Sequence, residues 1–236
     1  MNFIIESFKQ AFYLILNLDK QLLDIVVLSL KVSGIAVSIA TLFGLPLGVL
    51  TGLKKFRGRS LLITLYNTFM GLPPVVVGLF LYLMLSRSGP FGFLNLLYTP
   101  TAMIIAQTIL AFPIIVSLTH AATVRVNPSI KLTSFTLGAT SLQTSFTIIR
   151  EARYGIMVGI IAALGRVMAE VGAILIVGGN IEGYTRVMTT TIAMETDKGN
   201  FELATALGII LLAISFTINL LLFLIQKKGA IKHQWS

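Results

Sequence analysis

The sequence contains no cysteine among its 236 residues and only two histidines, His120 and His233. Without cysteine the chain has neither disulfide bonds nor thiolate ligands, and two histidines alone do not make a metal-binding cluster. Charged residues are also scarce, at 11% of the chain, whereas an ordinary soluble domain has about 25%. These absences exclude metal and thiol chemistry and argue against a water-soluble domain.

Apolar residues make up 56% of the sequence and are concentrated in five long runs. These runs lie at 23–53, 61–85, 99–122, 155–179 and 203–225. Each is long enough to cross the hydrocarbon layer, which takes about 20 residues of helix. Helices are required because lipid offers the backbone no hydrogen-bond partners. The predicted fold class is therefore all-α, a polytopic membrane bundle of about five transmembrane helices.

Residues 3–18, before the first run, predict an amphipathic helix that lies at the membrane interface. A short first span is the alternative, and a signal peptide is disfavoured because no basic start or cleavage site is present. The domains expected are an interfacial helix at 1–20, a transmembrane domain at 21–226 and a basic tail at 227–236. The apolar face of the interfacial helix contains Phe3, Ile4, Phe8, Ala11, Phe12, Ile15 and Leu16.

Lysine and arginine are concentrated in alternate gaps between the runs. Cytoplasmic loops hold the excess of these residues, so we expect the N-terminus outside and the C-terminus inside. The net charge of +9 then reflects topology and not nucleic-acid binding. The cations of the predicted inner segments are Lys54, Lys55, Arg57, Arg59, Arg125, Lys131, Arg150, Arg153, Lys227, Lys228 and Lys232.

The longer inner loop, at 123–154, has a helix-like interior that opens at Asn127-Pro128-Ser129 and is expected to end near Gly155. A helical hairpin on the inner face of a membrane protein predicts a partner protein.

The second run is interrupted by Gly71-Leu72-Pro73-Pro74. Two consecutive prolines remove two backbone donors and disfavour helix before them, so this span is expected to bend or unwind. Such a break is either a packing kink or part of a solute pathway, since interrupted helices recur where solutes cross. Pro46 and Pro113 predict single, weaker breaks in the first and third runs.

Arg166 and Glu170 in the fourth run are four residues apart and therefore share one helix face. Ionisable groups are expensive in lipid, so the pair should face the bundle interior, a water-filled cavity or the cytoplasmic interface. Mutual neutralisation is the first interpretation, a gate or an intersubunit contact is the second, and a cation that faces an anionic permeant is the third. The same run is rich in glycine and alanine, which favours close helix packing within the chain or in a homodimer.

The inner loop also resembles a known family. Residues 132–141 (LTSFTLGATS), followed by Phe146, are similar to the Glu-Ala-Ala loop of permease subunits of ATP-binding-cassette importers. Gly138, Ala139 and Phe146 match, whereas residues 132–134 replace the name-giving triplet and 150–153 (REAR) replace the usual Leu-Pro. The resemblance implies the fold of a type I importer permease in a bacterial or archaeal cytoplasmic (inner) membrane.

Further segments resemble particular members of this family. Residues 71–78 (GLPPVVVG) and 85–90 (LSRSGP) resemble importers of molybdate, tungstate and sulfate. Residues 169–173 (AEVGA), 178–181 (GGNI) and 184–190 (YTRVMTT) are similar to the tungstate-type permeases in particular. The resemblance therefore implies import of an oxyanion, tungstate first, with molybdate or sulfate as alternatives.

What the family implies is an assembly of two copies of this chain, two ATPase subunits and an extracytoplasmic oxyanion-binding protein. The membrane helices would alternate between inward-open and outward-open states, driven by a coupling helix that docks on the ATPase. The residues implied in coupling are Ser134, Gly138, Ala139, Thr140, Ser141 and Phe146. The residues expected to line the pathway or gate are Gly71, Pro73, Pro74, Arg166 and Glu170.

No catalytic role is expected for this chain. No segment reads as Gly-x-x-x-x-Gly-Lys-Ser/Thr, so ATP and Mg²⁺ should bind the partner ATPase, and no cofactor is expected here. An ion-coupled secondary transporter would need acidic residues within the membrane, where only Glu170 qualifies. A membrane-embedded enzyme would need a nucleophile with a base, a carboxylate pair or a metal cluster, and no such set is visible.

Overall fold

A computed structural model of the chain consists of α-helices joined by short connections. It describes residues 2–17 and 19–234, with side chains for 8–17 and 19–227. No β-strand occurs among these residues, and the predicted all-α fold class is confirmed. In chain order the helices are α1 (Asn2–Leu16), α2 (Lys20–Leu53), α3 (Arg59–Phe69), α4 (Pro74–Leu85), α5 (Pro100–Val124), α6 (Pro128–Thr136), α7 (Ser141–Met168), α8 (Gly172–Gly178), α9 (Met188–Asp197) and α10 (Phe201–Gln234).

Three described segments are helices long and apolar enough to cross a membrane alone: Lys20–Leu53, Pro100–Val124 and Phe201–Lys227. Two bent pairs, α3 with α4 and α7 with α8, raise the number to as many as five when each pair is one span. This agrees with the five apolar runs. α1 is helical, but its placement at the membrane interface stays a prediction, and the side chains of Phe3 and Ile4 lie outside the described residues.

The second apolar run is broken where its prolines predict. α3 ends at Phe69 and α4 begins at Pro74, so the run forms two helices and not one. Pro73 is the extended N-cap residue and Pro74 the first residue of α4. Proline suits a first helical position because the N–H it lacks would have no partner there, and it disfavours helix in the residue before it. The predicted break is confirmed.

Three other expectations about helix ends are wrong. α2 and α5 continue through Pro46 and Pro113, because membrane helices satisfy the freed carbonyls by other means. α7 continues through Gly155 without a boundary. This glycine serves close packing instead, since a Cβ at its position would lie only 2.7 Å from the Cβ of Ala122 on α5.

The chain divides into two compact units. The first unit comprises Met1–Ala36, Pro73–Thr108 and Gly165–Ile218. The second comprises Val37–Leu72, Ile109–Leu164 and Asn219–Ser236. Within the first unit, α4 packs against α8, and the end of α8 is joined to the segment before α5 by a hydrogen bond from Tyr98 N to Val177 O at 2.8 Å.

In the second unit a row of glycines on α2 faces α5. Gly44, Gly48 and Gly52 are spaced four residues apart and therefore share one face. A Cβ at Gly48 would lie 2.7 Å from Thr119 Cβ, and one at Gly52 would lie 2.8 Å from Thr123 Cβ. Small residues at this spacing let helix backbones approach closely in membranes. The three helices α2, α5 and α7 thus meet at glycine contacts in this unit.

Candidate functional site

The fourth span contains a break that the sequence did not indicate. α7 and α8 are separated by residues 169–171 and meet at 60°. Carbonyl groups at the break accept hydrogen bonds from buried side chains of other helices: Gln107 Nε2 donates to Val167 O at 2.9 Å, and Thr189 Oγ1 donates to Glu170 O at 2.7 Å. Such partners are what an interrupted helix needs inside a membrane. The break is therefore held by α5 and α9.

Glu170 lies within this break and is only 5% exposed. Its Oε2 pairs with Arg166 Nη1 at 3.2 Å, and its Oε1 accepts a hydrogen bond from Ala173 N at 3.2 Å. The carboxylate thus satisfies a free N–H in the first turn of α8 while it neutralises the arginine. The expected ion pair is present, and its role as a gate stays a prediction.

Arg166 differs from its partner in exposure. Its side chain is 45% exposed, against 6% for that of Glu170. The ion pair uses Nη1 of the guanidinium, and nearly half of the Arg166 side chain stays accessible. An accessible cation and a buried anion thus lie together at the interrupted helix.

The helix that follows the two prolines lies directly against this break. A Cβ at Gly172 would lie 2.7 Å from Val75 Cγ2, and one at Gly78 would lie 2.9 Å from Ala173 Cα. α4 and α8 therefore begin side by side and run in the same direction. Pro73 and Pro74 are thereby brought near Glu170 in the first unit, whereas Gly71 belongs to the second unit.

The coupling residues predicted from the inner loop lie on α6, on the start of α7 and on the turn between them. α6 begins at Pro128, with the side chain of Asn127 accepting from Ser129 N at 2.9 Å. The turn after α6 contains Gly138 at φ +80°, a left-handed conformation that favours glycine. None of the residues of α6 is buried.

Thr140 has a local structural role that the sequence also encodes. Gln143 Oε1 accepts from Thr140 N at 2.8 Å, and Thr140 Oγ1 accepts from Gln143 N at 3.3 Å. This reciprocal pair is a capping box, in which a threonine and a glutamine three residues later satisfy free donors at a helix start. The turn between α6 and α7 is therefore fixed by its own residues.

Large apolar side chains are exposed along α6, the following turn and the start of α7. Leu137 is 82% exposed and Phe146 is 70% exposed. Ser134 instead bonds within α6, donating to Ile130 O at 2.7 Å. We call the exposed set the α6–α7 surface, and it consists of Leu132, Phe135, Leu137, Leu142 and Phe146.

α6 is tied to the end of α2 by a lysine. Lys131 Nζ donates to Leu53 O at 3.3 Å, and Arg59 Nε donates to Thr51 O at 2.6 Å. Both carbonyls lie in the last turn of α2, where cations interact favourably with the helix dipole and the free carbonyl groups. A displacement of α6 would thus act on the end of α2 within the second unit.

The chain matches a family model described as binding-protein-dependent transport system inner membrane component, over residues 44–228. The match covers most of the sequence and includes all of the helices from α3 to α9 entirely. The chain therefore belongs to this family of inner membrane transport components, and the expectation of a membrane subunit without catalytic activity is confirmed.

Individual relatives show a more specific similarity than the family model does. A tungstate uptake system permease protein, TupB, of Peptoclostridium acidaminophilum is 42% identical over 97% of this chain and 100% of its own length. A probable anion ABC transporter permease protein of Haloferax volcanii is 45% identical over 85% of this chain and 88% of its own. Among solved structures, a chain of the MetNI methionine ABC transporter in an inward-facing conformation superposes with a TM-score of 0.72, covering 91% of this chain and 97% of that one at 17% identity.

Proposed function

We propose that this chain is the membrane subunit of a tungstate importer, through which the oxyanion crosses while a separate ATPase supplies the energy. The observation on which the proposal rests is the similarity, at 42% identity over 97% of the chain, to a tungstate uptake permease. Molybdate and sulfate, which have the same tetrahedral shape and charge, are the alternative substrates.

The break between α7 and α8 supplies a suitable group for an oxyanion. Tetrahedral oxyanions bind to cations and to free N–H donors. The side chain of Arg166 is half exposed and forms an ion pair with the buried carboxylate of Glu170. An arriving anion would therefore compete with Glu170 for the same guanidinium. This competition gives the pair the character of a gate beside the paired starts of α4 and α8, where interrupted helices recur in transporters.

The α6–α7 surface is proposed as the docking site for the ATPase. Five large apolar side chains exposed along one short segment indicate an interaction site, and the segment follows the end of the α5 span. ATP and Mg²⁺ would bind the partner, and closure of the ATPase would displace residues 134–141. The bond from Lys131 to Leu53 O gives this displacement a route to α2.

For the assembly we propose two copies of this chain, two ATPase subunits and an extracytoplasmic oxyanion-binding protein, with alternating access between the two copies. The distribution of lysine and arginine supports an N-terminus outside and a C-terminus inside, because cytoplasmic loops hold the excess of cations. The same orientation exposes α6 to the cytoplasm, where ATP is available.

Uptake into proteoliposomes tests the proposal. The chain would be reconstituted with its partner ATPase and binding protein, and uptake of tungstate, molybdate and sulfate would be measured with and without internal ATP. We expect tungstate accumulation that requires both ATP and the binding protein. Uptake driven by an ion gradient without either partner would instead indicate a secondary transporter, and a preference for molybdate or sulfate would reassign the substrate.

A further inference from the structure

The second unit contains a groove that the proposed function does not use. Its volume is about 850 Å³, within the roughly 300–1,000 Å³ range of small-molecule sites. It lies between the end of α5, the start of α6, the first half of α7 and the end of the α10 span. Its lining includes the apolar Leu118, Ala122 and Val158 and the polar Arg125, Asn127 and Glu151.

The lining changes character along the groove. Leu118 and Ala122 belong to the α5 span, which ends at Val124, whereas Arg125 and Asn127 follow its end. Gln226, also in the lining, is next to the last residue of the α10 span. The groove is therefore apolar beside the membrane-spanning part of α5 and polar where the spans end. A phospholipid has the same order of apolar and polar parts: its acyl chain would lie in the apolar part of the groove and its head group in the polar part.

The charges of the groove narrow the choice of lipid. Arg125 and Glu151 provide one cation and one anion. The side chains of both lack hydrogen bonds or ion pairs to other residues in the part of the chain whose side chains are described. Charged groups at a membrane interface normally find partners. A zwitterionic head group supplies both partners at once, a phosphate for the guanidinium and an ammonium for the carboxylate.

We propose that this groove binds a zwitterionic phospholipid of the surrounding membrane, of the phosphatidylethanolamine class. Arg125 binds the phosphate and Glu151 the ammonium, while the acyl chain lies against Leu118, Ala122 and Val158. The site adjoins the start of α6, so bound lipid would support the segment to which the coupling role is assigned. The proposal depends on the membrane placement of the chain and not on the identity of its substrate.

Lipid retention by the full chain tests this proposal. Native mass spectrometry in detergent would measure retention of phosphatidylethanolamine and of phosphatidylglycerol by the wild type and by three variants. We expect Arg125→Gln to lower retention of both lipids about tenfold, since a charge-assisted phosphate contact is lost. Glu151→Gln should abolish the preference for phosphatidylethanolamine while phosphatidylglycerol still binds. Arg57→Gln changes the net charge equally outside the groove and should retain lipid like the wild type.

Thermal unfolding without added lipid would show that the variants are folded, and Arg125→Lys, which keeps the charge, should restore most retention if Arg125→Gln is unstable. Equal loss in Arg125→Gln and Arg57→Gln would overturn the proposal, because the effect would then be one of net charge. A wild-type preference for phosphatidylglycerol would also overturn it. So would release of the lipid when the ATPase subunit is added, since the groove would then belong to the protein partner.

Discussion

Helices α2, α5 and α7 meet at glycine contacts in the second unit, and α4 and α8 do so in the first, but the break between α7 and α8 is held by hydrogen bonds from buried polar side chains. Gly48 and Gly52 bring α2 against α5 with no room for a Cβ. In the first unit, Gln107 and Thr189 donate to the carbonyls of Val167 and Glu170 at the break between α7 and α8, and Glu170 caps α8. The first kind of contact resists sliding, while the second can exchange partners.

This difference suits two different tasks. A set of helices locked at glycine contacts moves as one body, as is needed to transmit a displacement from α6. An interrupted helix held by exchangeable hydrogen bonds can rearrange around a passing anion. A buried polar group costs little when its hydrogen bonds are satisfied and is expensive when they are not; at this break Gln107 Nε2 is bonded, whereas Gln107 Oε1 has no partner among the described residues. Under the proposed function, we expect the second unit, which contains α6, to transmit the displacement and the break in the first unit to pass the anion.

The largest expected effect comes from filling a glycine contact. Gly48→Leu should lower the stability of the chain by about 3 kcal/mol or more, because the new side chain has no space beside Thr119 and Val116. Thermal unfolding in detergent would measure the loss. Gly34→Ala on the same helix is the control, since a Cβ there meets nothing within 4 Å. Equal stability of the two variants would contradict the tight contact between α2 and α5.

Replacing the buried carboxylate should cost somewhat less. Glu170→Leu leaves Ala173 N without its acceptor and Arg166 without its anion, and should lower stability by about 2 kcal/mol. The half-exposed arginine keeps access to water or lipid head groups, which limits the loss. Glu170→Gln retains an acceptor for Ala173 N and should recover most of the stability. If both variants lost the same amount of stability, the effect would come from loss of the charge alone, and the hydrogen bond to Ala173 N would not contribute.

A change in the turn after α6 should act on coupling more than on stability. Gly138→Arg places bulk and charge at a position with open space around it and a left-handed backbone. We expect transport to fall at least about tenfold while the chain still inserts and the ATPase remains active. Gly138→Ala has the same backbone cost of about 1 kcal/mol without the bulk. Normal uptake by Gly138→Arg would show that this turn does not dock on the ATPase.

The smallest effect is expected at the tie between α6 and α2. Lys131→Met removes one exposed hydrogen bond to Leu53 O, which is worth about 1 kcal/mol at most. Tungstate transported per ATP hydrolysed should fall about threefold, with stability nearly unchanged. Lys55→Met removes an equal charge from a nearby inner segment and should leave the ratio unchanged. A ratio that falls equally in both variants would indicate a general charge effect.

Much of this architecture could be predicted from the sequence. The five apolar runs, the break at Pro73-Pro74 and the pairing of Arg166 with Glu170 follow from run length, from proline chemistry and from helix periodicity. The capping box at Thr140 and Gln143 and the four-residue spacing of Gly44, Gly48 and Gly52 are also sequence patterns from which a helix start and a close helix contact can be predicted.

The break between α7 and α8 could not be predicted in the same way. Residues 169–171 contain no proline, and the side chains that bond the carbonyls of Val167 and Glu170 at the break, Gln107 and Thr189, are distant in sequence. Gly155 is the reverse case: the sequence predicts a helix boundary near it, but α7 continues through it. Glycine in a membrane helix more often permits close packing than ends the helix. At both the break at 169–171 and Gly155, the local structure depends on contacts with other helices.

The central claim, that the first unit passes the anion and the second transmits the displacement, is tested most directly by comparing two variants in proteoliposomes. The double variant Arg166→Gln/Glu170→Gln removes the ion pair without leaving a buried charge, and Gly138→Arg alters the coupling turn. Both the concentration dependence of tungstate uptake and the ATP hydrolysed per tungstate would be measured. We predict that the double variant changes the concentration dependence alone and that Gly138→Arg changes the ATP ratio alone. A change of the same quantity in both variants would contradict the division of tasks.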